Sequence, residues 1–262
     1  MSTSNQAEIS ESTFTFLNID IQNIRFNDFL ETLTEGVVVT PNADHLIKLQ
    51  KDREFFECYQ NAEHIVCDSR VLMMLSRVLD AQNPIKDQIA GSDFFPAFCQ
   101  YHSQNTQDMR VFLLGGSETT VIQAQQNINA RTNSQIVIDG YSPPFGFEHD
   151  DDENQRIIDR INQSGATVLA VGVGAPKQEK WIYRHRDKMP GVKIFLAIGA
   201  TIEFEAGGVK RAPKWMSRTG LEWAFRISQE PKRMFKRYFL DDMQIFWLVF
   251  KQKTGLYKNP WA

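Results

Sequence analysis

The chain predicts a Rossmann-like α/β fold, a largely parallel sheet flanked by helices, with a helical appendage at its C-terminal end. Three observations carry that expectation. Short runs rich in Val, Ile and Leu recur up to about residue 209, as in strands buried on both faces. Segments of helical periodicity separate them, which is the crossover that parallel strands require. Beyond Lys210 apolar, aromatic and basic residues mix at helical spacing, with Pro213 and Pro231 as helix starts or breaks. The expected units are therefore 13–209 and 210–262.

Taken in order, Phe14–Ile19 reads as a strand and Asn27–Thr34 as a short helix capped by Asn27. Val37–Thr40 is an apolar strand stub, and helical spacing then runs from Ala43 to Tyr59. His64–Cys67 is a strand, Arg70–Leu79 a helix, and Asp80 to Gly91 a loop with the Asn83-Pro84 turn signal. Ser92–Gln104 is a helix, Arg110–Leu114 a strand, Ser117–Arg131 a helix and Gln135–Ile138 a strand. Pro143-Pro144 and Gly146 mark a surface loop. Asp150–Gln163 is a helix with acids in its first turn, where they complement the dipole. Thr167–Gly172 is a strand, Pro176–Lys188 a helix with Pro near its first position, and Val192–Ile198 a strand.

Composition narrows the class. The chain has 262 residues, 42% hydrophobic and 23% charged, which excludes a mostly disordered or fibrous protein. Cys58, Cys67 and Cys99 form no Cys-x-x-Cys pair, so a disulfide framework or cysteine-based zinc site is not expected. The polar N-terminus has neither a basic nor an apolar signal-peptide region, and no apolar run reaches the roughly 18 residues of a membrane span. The net charge of −3 is unevenly shared. Residues 1–209 hold 17 Lys and Arg against 28 Asp and Glu, whereas residues 210–262 hold 12 against 4. A basic C-terminal end on an acidic body points to a negatively charged partner surface.

In open parallel sheets ligands sit outside the carboxyl ends of the strands, so chemistry is sought there. Asp68 follows a strand directly and reads either as a general base or as a helix N-cap. Asn42 reads as a cap or a ligand-orienting amide, and Thr40 as a strand-end hydroxyl. Gly115-Gly116-Ser117 ends a strand and opens a helix, where backbone N–H groups suit a diphosphate; an ordinary tight turn has the same residues. Gly172-Val173-Gly174 leads into Pro176, Lys177, Gln178 and Glu179, yet no Gly-x-Gly-x-x-Gly follows, so a dinucleotide fingerprint is absent. Asp150-Asp151-Asp152 lies where acids favour a helix start, and the five histidines show no ligand spacing. No metal and no cofactor are expected. Phe235, Phe239, Met243, Phe246 and Phe250 repeat on one helical face, with Lys232, Arg233, Lys236 and Arg237 near its start. That face suits an anionic membrane interface, or packing on the body or a second subunit. No nucleic-acid-binding motif accompanies the charge.

Three stretches together resemble the WecG/TagA/CpsF family of bacterial glycosyltransferases (glycosyltransferase family 26). They are Thr40-Pro41-Asn42-Ala43-Asp44-His45 with Asp68; Gly172 to Trp181; and Ala206-Gly207 through Lys210–Trp215 and Gly220–Arg226 to Glu230–Arg233 and Arg237-Tyr238. The resemblance, from about residue 16 to 240, implies inverting transfer from a UDP-sugar to a polyprenyl-diphosphate-linked saccharide in cell-envelope or exopolysaccharide synthesis. It implies a cytoplasmic enzyme held peripherally on the inner face of the plasma membrane, with oligomeric state open. It places Thr40, Asn42, Asp68 and Gln178 in the catalytic pocket, Asp68 as base. Arg226 and Arg233 match arginines of the family's C-terminal element. With Arg237, Gly115, Gly116 and Gly174 they complete the candidate substrate-binding residues. Ser69, Gln88 and Glu203 depart from the family's usual Gly, Arg and Asp. An epimerase or oxidoreductase acting on sugar nucleotides, or a non-catalytic nucleotide-sugar-binding protein recruited to the membrane, is the alternative.

Overall fold

The computed structural model describes residues 12–105, 108–208 and 243–262. It opens with an antiparallel hairpin, β1 (Thr13–Phe16) and β2 (Ile19–Gln22), where the sequence predicts one strand over Phe14–Ile19. The turn is hidden because Leu17 takes a positive φ of 55° without a glycine to announce it. Helix α1 (Phe26–Thr32) follows, with Arg25 rather than Asn27 at its cap. The Phe26 N–H is satisfied from outside, by Asp87 Oδ2 at 2.9 Å, so no local cap is needed.

Strand β3 (Gly36–Val39) leads to α2 (Ala43–Lys48) and α3 (Arg53–Gln60), two helices where the periodicity suggests one. The break falls where Asp52 leaves helical geometry and accepts the Phe55 N–H at 3.1 Å, capping the second helix. After β4 (His64–Ile65) come α4 (Arg70–Leu79), α5 (Gly91–Asn105), β5 (Val111–Gly115), α6 (Glu118–Thr132) and β6 (Val137–Tyr141). Then α7 (Asp151–Ser164), β7 (Val168–Gly172), α8 (Lys177–His185), β8 (Ile194–Ala197) and α9 (Thr201–Glu205) complete the body. Helix α9, five residues long, is too short to leave a periodic trace in the sequence.

The six strands β3–β8 form one all-parallel sheet in the order β4-β3-β8-β7-β5-β6. Alternation along each strand divides the core in two. Val37, Val39, Phe112, Leu114, Leu169, Val171, Phe195 and Ala197 face α2, α3, α4, α7 and α8. Val38, Val111, Leu113, Val168, Ala170, Ile194 and Leu196 face α1, α5, α6 and α9. Burial on both faces accounts for the unbroken apolar runs.

Helix α10 (Gln244–Lys253) returns to this body and inserts Ile245 and Val249 into the first of those cores. The residues around it reach the start of the chain. Gln252 Oε1 accepts the Leu17 N–H at 3.0 Å, its Nε2 donates to the Thr15 carbonyl at 2.9 Å, and the Trp261 indole donates to the Leu49 carbonyl at 2.7 Å. On the outward side Val71, Met74 and Val78 of α4 and Met243, Phe246, Trp247 and Phe250 are exposed. Among the described residues no helix is long and apolar enough to cross a membrane.

Candidate active site

The chain leaves β5 toward the α6 face and leaves β7 toward the α8 face. Because these adjacent strands send their connections opposite ways, a crevice opens at their carboxyl ends. A cavity of about 340 Å³ occupies it, within the size range of small-molecule sites. Gly115, Gly116, Gly172, Gly174 and Gly199 form much of its wall. Gly115 has φ +135°, and a Cβ there would collide with the Gly172 carbonyl; a Cβ on Gly172 would fall 2.6 Å from the Gly199 oxygen. Only bare backbone fits three strand ends so close together. Ser117 caps α6 by accepting the Thr120 N–H at 3.2 Å, which brings the positive end of a 15-residue helix beside Gly116.

Side chains complete the cavity. Lys177 is the one cation among its described lining residues; it pairs with Glu148 at 2.9 Å and lies 5.2 Å from the Phe145 ring centroid. Burial opposes ionisation of Glu148, but the Lys177 hydrogen bond and charge hold its carboxyl below the usual range. Phe145 is fully exposed at the lip. Glu203 also lines the cavity, with one buried oxygen lacking a partner among the described residues and its pKa raised by burial.

Beside the cavity, over the ends of β3, β4 and β8, the sheet edge is built from side chains. The Asp68 N–H donates to the Pro41 carbonyl at 3.1 Å, joining the loop that carries Thr40 and Asn42 to the loop that carries Asp68. Gln88 Nε2 donates to the Asp68 carbonyl at 2.6 Å and so braces the backbone of the candidate base. Asn42 caps α2 by accepting the His45 N–H at 3.2 Å, and Ser69, not Asp68, occupies the cap position of α4. Gln178 is buried at the start of α8; its Oε1 accepts the Gly199 N–H at 3.0 Å and its Nε2 donates to Glu179 Oε1 at 2.9 Å.

Behind them His45 Nδ1 lies 2.8 Å from the buried Tyr59 hydroxyl. Burial, then the charges of Glu179 and Asp68, push the Tyr59 hydroxyl well above its ordinary pKa. Burial drives Glu179 up to about 7 against the Gln178 hydrogen bond. All three cysteines are free and buried, and burial pushes Cys58 and Cys67 up to about 12, so they are inert thiols.

Of the residues singled out from sequence, Gly115, Gly116 and Gly174 line the cavity together. Gln178 joins the cavity to the side-chain half through Gly199, and Thr40, Asn42 and Asp68 stand at the ends of β3 and β4, outside the cavity lining. Arg226, Arg233 and Arg237 lie outside the described residues, as do Phe235 and Phe239 of the aromatic face. Asp150 is the cap of α7, accepting the Glu153 N–H at 3.0 Å. Sequence reading passed over Phe145 and the buried state of Glu179. It touched Lys177 and Glu203 only as neighbours of a motif and a family position.

Compared with models of protein families, the chain matches the glycosyl transferase WecG/TagA/CpsF family over residues 14–259, a span that takes in both halves of the sheet edge and α10. The chain belongs to the WecG/TagA/CpsF family of glycosyltransferases, enzymes that use a sugar-nucleotide donor and a glycan acceptor.

Proposed function

We propose that this chain is an inverting glycosyltransferase that moves one sugar from a UDP-sugar to a polyprenyl-diphosphate-linked saccharide, in synthesis of a bacterial cell-envelope or exopolysaccharide. The observation that carries the reading is the glycine-walled cavity at the switch point, next to the α6 N-terminus and Lys177. Backbone N–H groups, a helix dipole and one ammonium suit a diphosphate. Phe145 offers a ring face to the base, and Glu203 an acceptor to ribose hydroxyls.

In this reading the acceptor hydroxyl approaches from the Asp68 side. Asp68 takes its proton as the oxygen bonds to the anomeric carbon; the bond from that carbon to the diphosphate breaks on the opposite face, and UDP leaves with the electron pair. A positioned base accelerates such a step by roughly 10²–10⁴-fold. Thr40, Asn42 and Gln178 orient the acceptor and the loop at Gly199, and Arg226, Arg233 and Arg237 add positive charge from the C-terminal part. Metal coordination has no role in this scheme.

The division into a transferase body, 13–209, and a basic, aromatic-rich docking appendage, 210–262, belongs to the same reading. The exposed faces of α4 and α10, with the C-terminal excess of Lys and Arg, support peripheral docking on an anionic cytoplasmic leaflet. The experiment is a panel of UDP-sugars incubated with a short-chain prenyl-diphosphate saccharide, product read by mass and anomeric configuration by NMR. One donor should add one sugar with inversion and release UDP. Transfer from none of them, or with retention, overturns the reading.

A further inference from the structure

Glu179 stands in the third position of α8 at 2% exposure, and its two oxygens are treated differently. Oε1 accepts from Gln178, whereas Oε2 is buried without a hydrogen-bond partner among the described residues. The titratable groups around it are Asp44 and Lys48 from α2 and Cys58 and Tyr59 from α3, with the His45 imidazole of α2 engaged on the Tyr59 hydroxyl. None neutralises it as a carboxylate: Lys48 is paired with Asp44 at 2.8 Å, the thiol and phenol are held protonated by burial, and Asp44 carries like charge. An ionised carboxylate with one oxygen bare in such surroundings is costly, and a neutral acid costs far less.

We propose that Glu179 is a positioning residue that works as a neutral acid: in that form it holds the Gln178 carboxamide, whose other end fixes the Gly199 loop at the cavity wall. The proton stays on Glu179 throughout the transfer. Loss of it places charge on Oε2, and relief requires water to enter or Lys48 to abandon Asp44; either disturbs the Gln178–Gly199 link. Activity therefore falls on the alkaline side because a support has ionised.

The inference rests on the reading of Gln178 as part of the transfer site, so the test has two arms. Infrared difference spectra of the full-length chain, titrated across neutral pH, should show loss of a protonated-carboxyl C=O stretch that is absent in Glu179→Gln. In donor-turnover assays Glu179→Ala should lower kcat at least about tenfold. Its KM for the UDP-sugar should move less than about threefold. Glu179→Gln, a permanently neutral isostere, should recover kcat and remove the alkaline fall. A carboxyl band missing at acid pH, or a Glu179→Gln profile with the alkaline fall intact, overturns the proposal. If no UDP-sugar turns over with the unaltered chain, the functional reading fails while the infrared arm still decides whether Glu179 carries the proton.

Discussion

The two halves of the sheet's carboxyl edge are made of different materials. Over β5, β7 and β8 the wall is backbone, with five glycines lining a cavity between loops that leave in opposite directions. Over β3 and β4 it is side chains, Asn42 and Asp68, with Gln178 of α8 joining them to the Gly199 loop and the buried set His45, Tyr59 and Glu179 behind. Backbone dipoles hold fixed orientation and cannot titrate, which suits a leaving diphosphate that gains negative charge without exchanging a proton. Side chains can hold or take a proton, which suits the partner whose hydroxyl must lose one. On the proposed reading, that difference in chemistry separates the donor from the acceptor along one edge.

Mutations can break the contrast. The largest effect is expected at Asp68: Asp68→Asn should cut kcat by roughly 10²–10⁴-fold while leaving the KM of the donor within a few-fold, because the cavity half is untouched. Steady-state kinetics with a UDP-sugar checks it; a near-normal kcat removes Asp68 as base.

Glu179 gives the next effect, on stability. Its folded-state pKa is raised from 4.5 to about 7, so the folded protein keeps a proton that the unfolded chain has released. Its contribution is full below pH 4.5 and is lost as pH rises through about 7, on the order of 3 kcal/mol. Denaturant melts at pH 5 and pH 8 should show this loss in the parent and not in Glu179→Gln.

In the backbone half, Gly115→Ala and Gly174→Ala should differ. Both positions have positive φ, costing an L-residue about 1–2 kcal/mol, but only at Gly115 does the new methyl strike a neighbouring strand end. Overpacking adds roughly 1–3 kcal/mol there, measurable as a lower urea midpoint. The smallest effect is expected at the lip, where Phe145→Ala should weaken UDP binding by about fivefold to tenfold in calorimetry, with kcat unchanged at saturation. An unaltered affinity would remove Phe145 from the donor side.

Legibility in the sequence divides along the same line. Strands buried on both faces announce themselves as runs such as Val37–Val39 and Val168–Val171, and glycines at strand ends mark the cavity loops because a bare backbone has no substitute. Strand order is not legible, since pairing of β3 with β8 joins residues far apart in the chain. The hairpin turn at Leu17 and the break at Asp52 are not legible because tertiary packing, not composition, selects them. Glu179 is visible as a letter in a motif, but its dry surroundings come from α2 and α3, more than a hundred residues earlier. The arginines that a resemblance supplies beyond residue 209 rest on sequence alone.

The bonds from Gln252 to Leu17 and Thr15, and from Trp261 to Leu49, tie α10 and the residues after it to the β1–β2 hairpin and the end of α2. A nascent chain lacking them exposes the seat of Ile245 and Val249 and leaves the opening hairpin without its clasp. Loss of the segment from Gln244 onward therefore leaves an apolar gap in the core, and a chain so shortened presents a greasy cleft to the quality-control machinery even though every residue of the sheet edge is present.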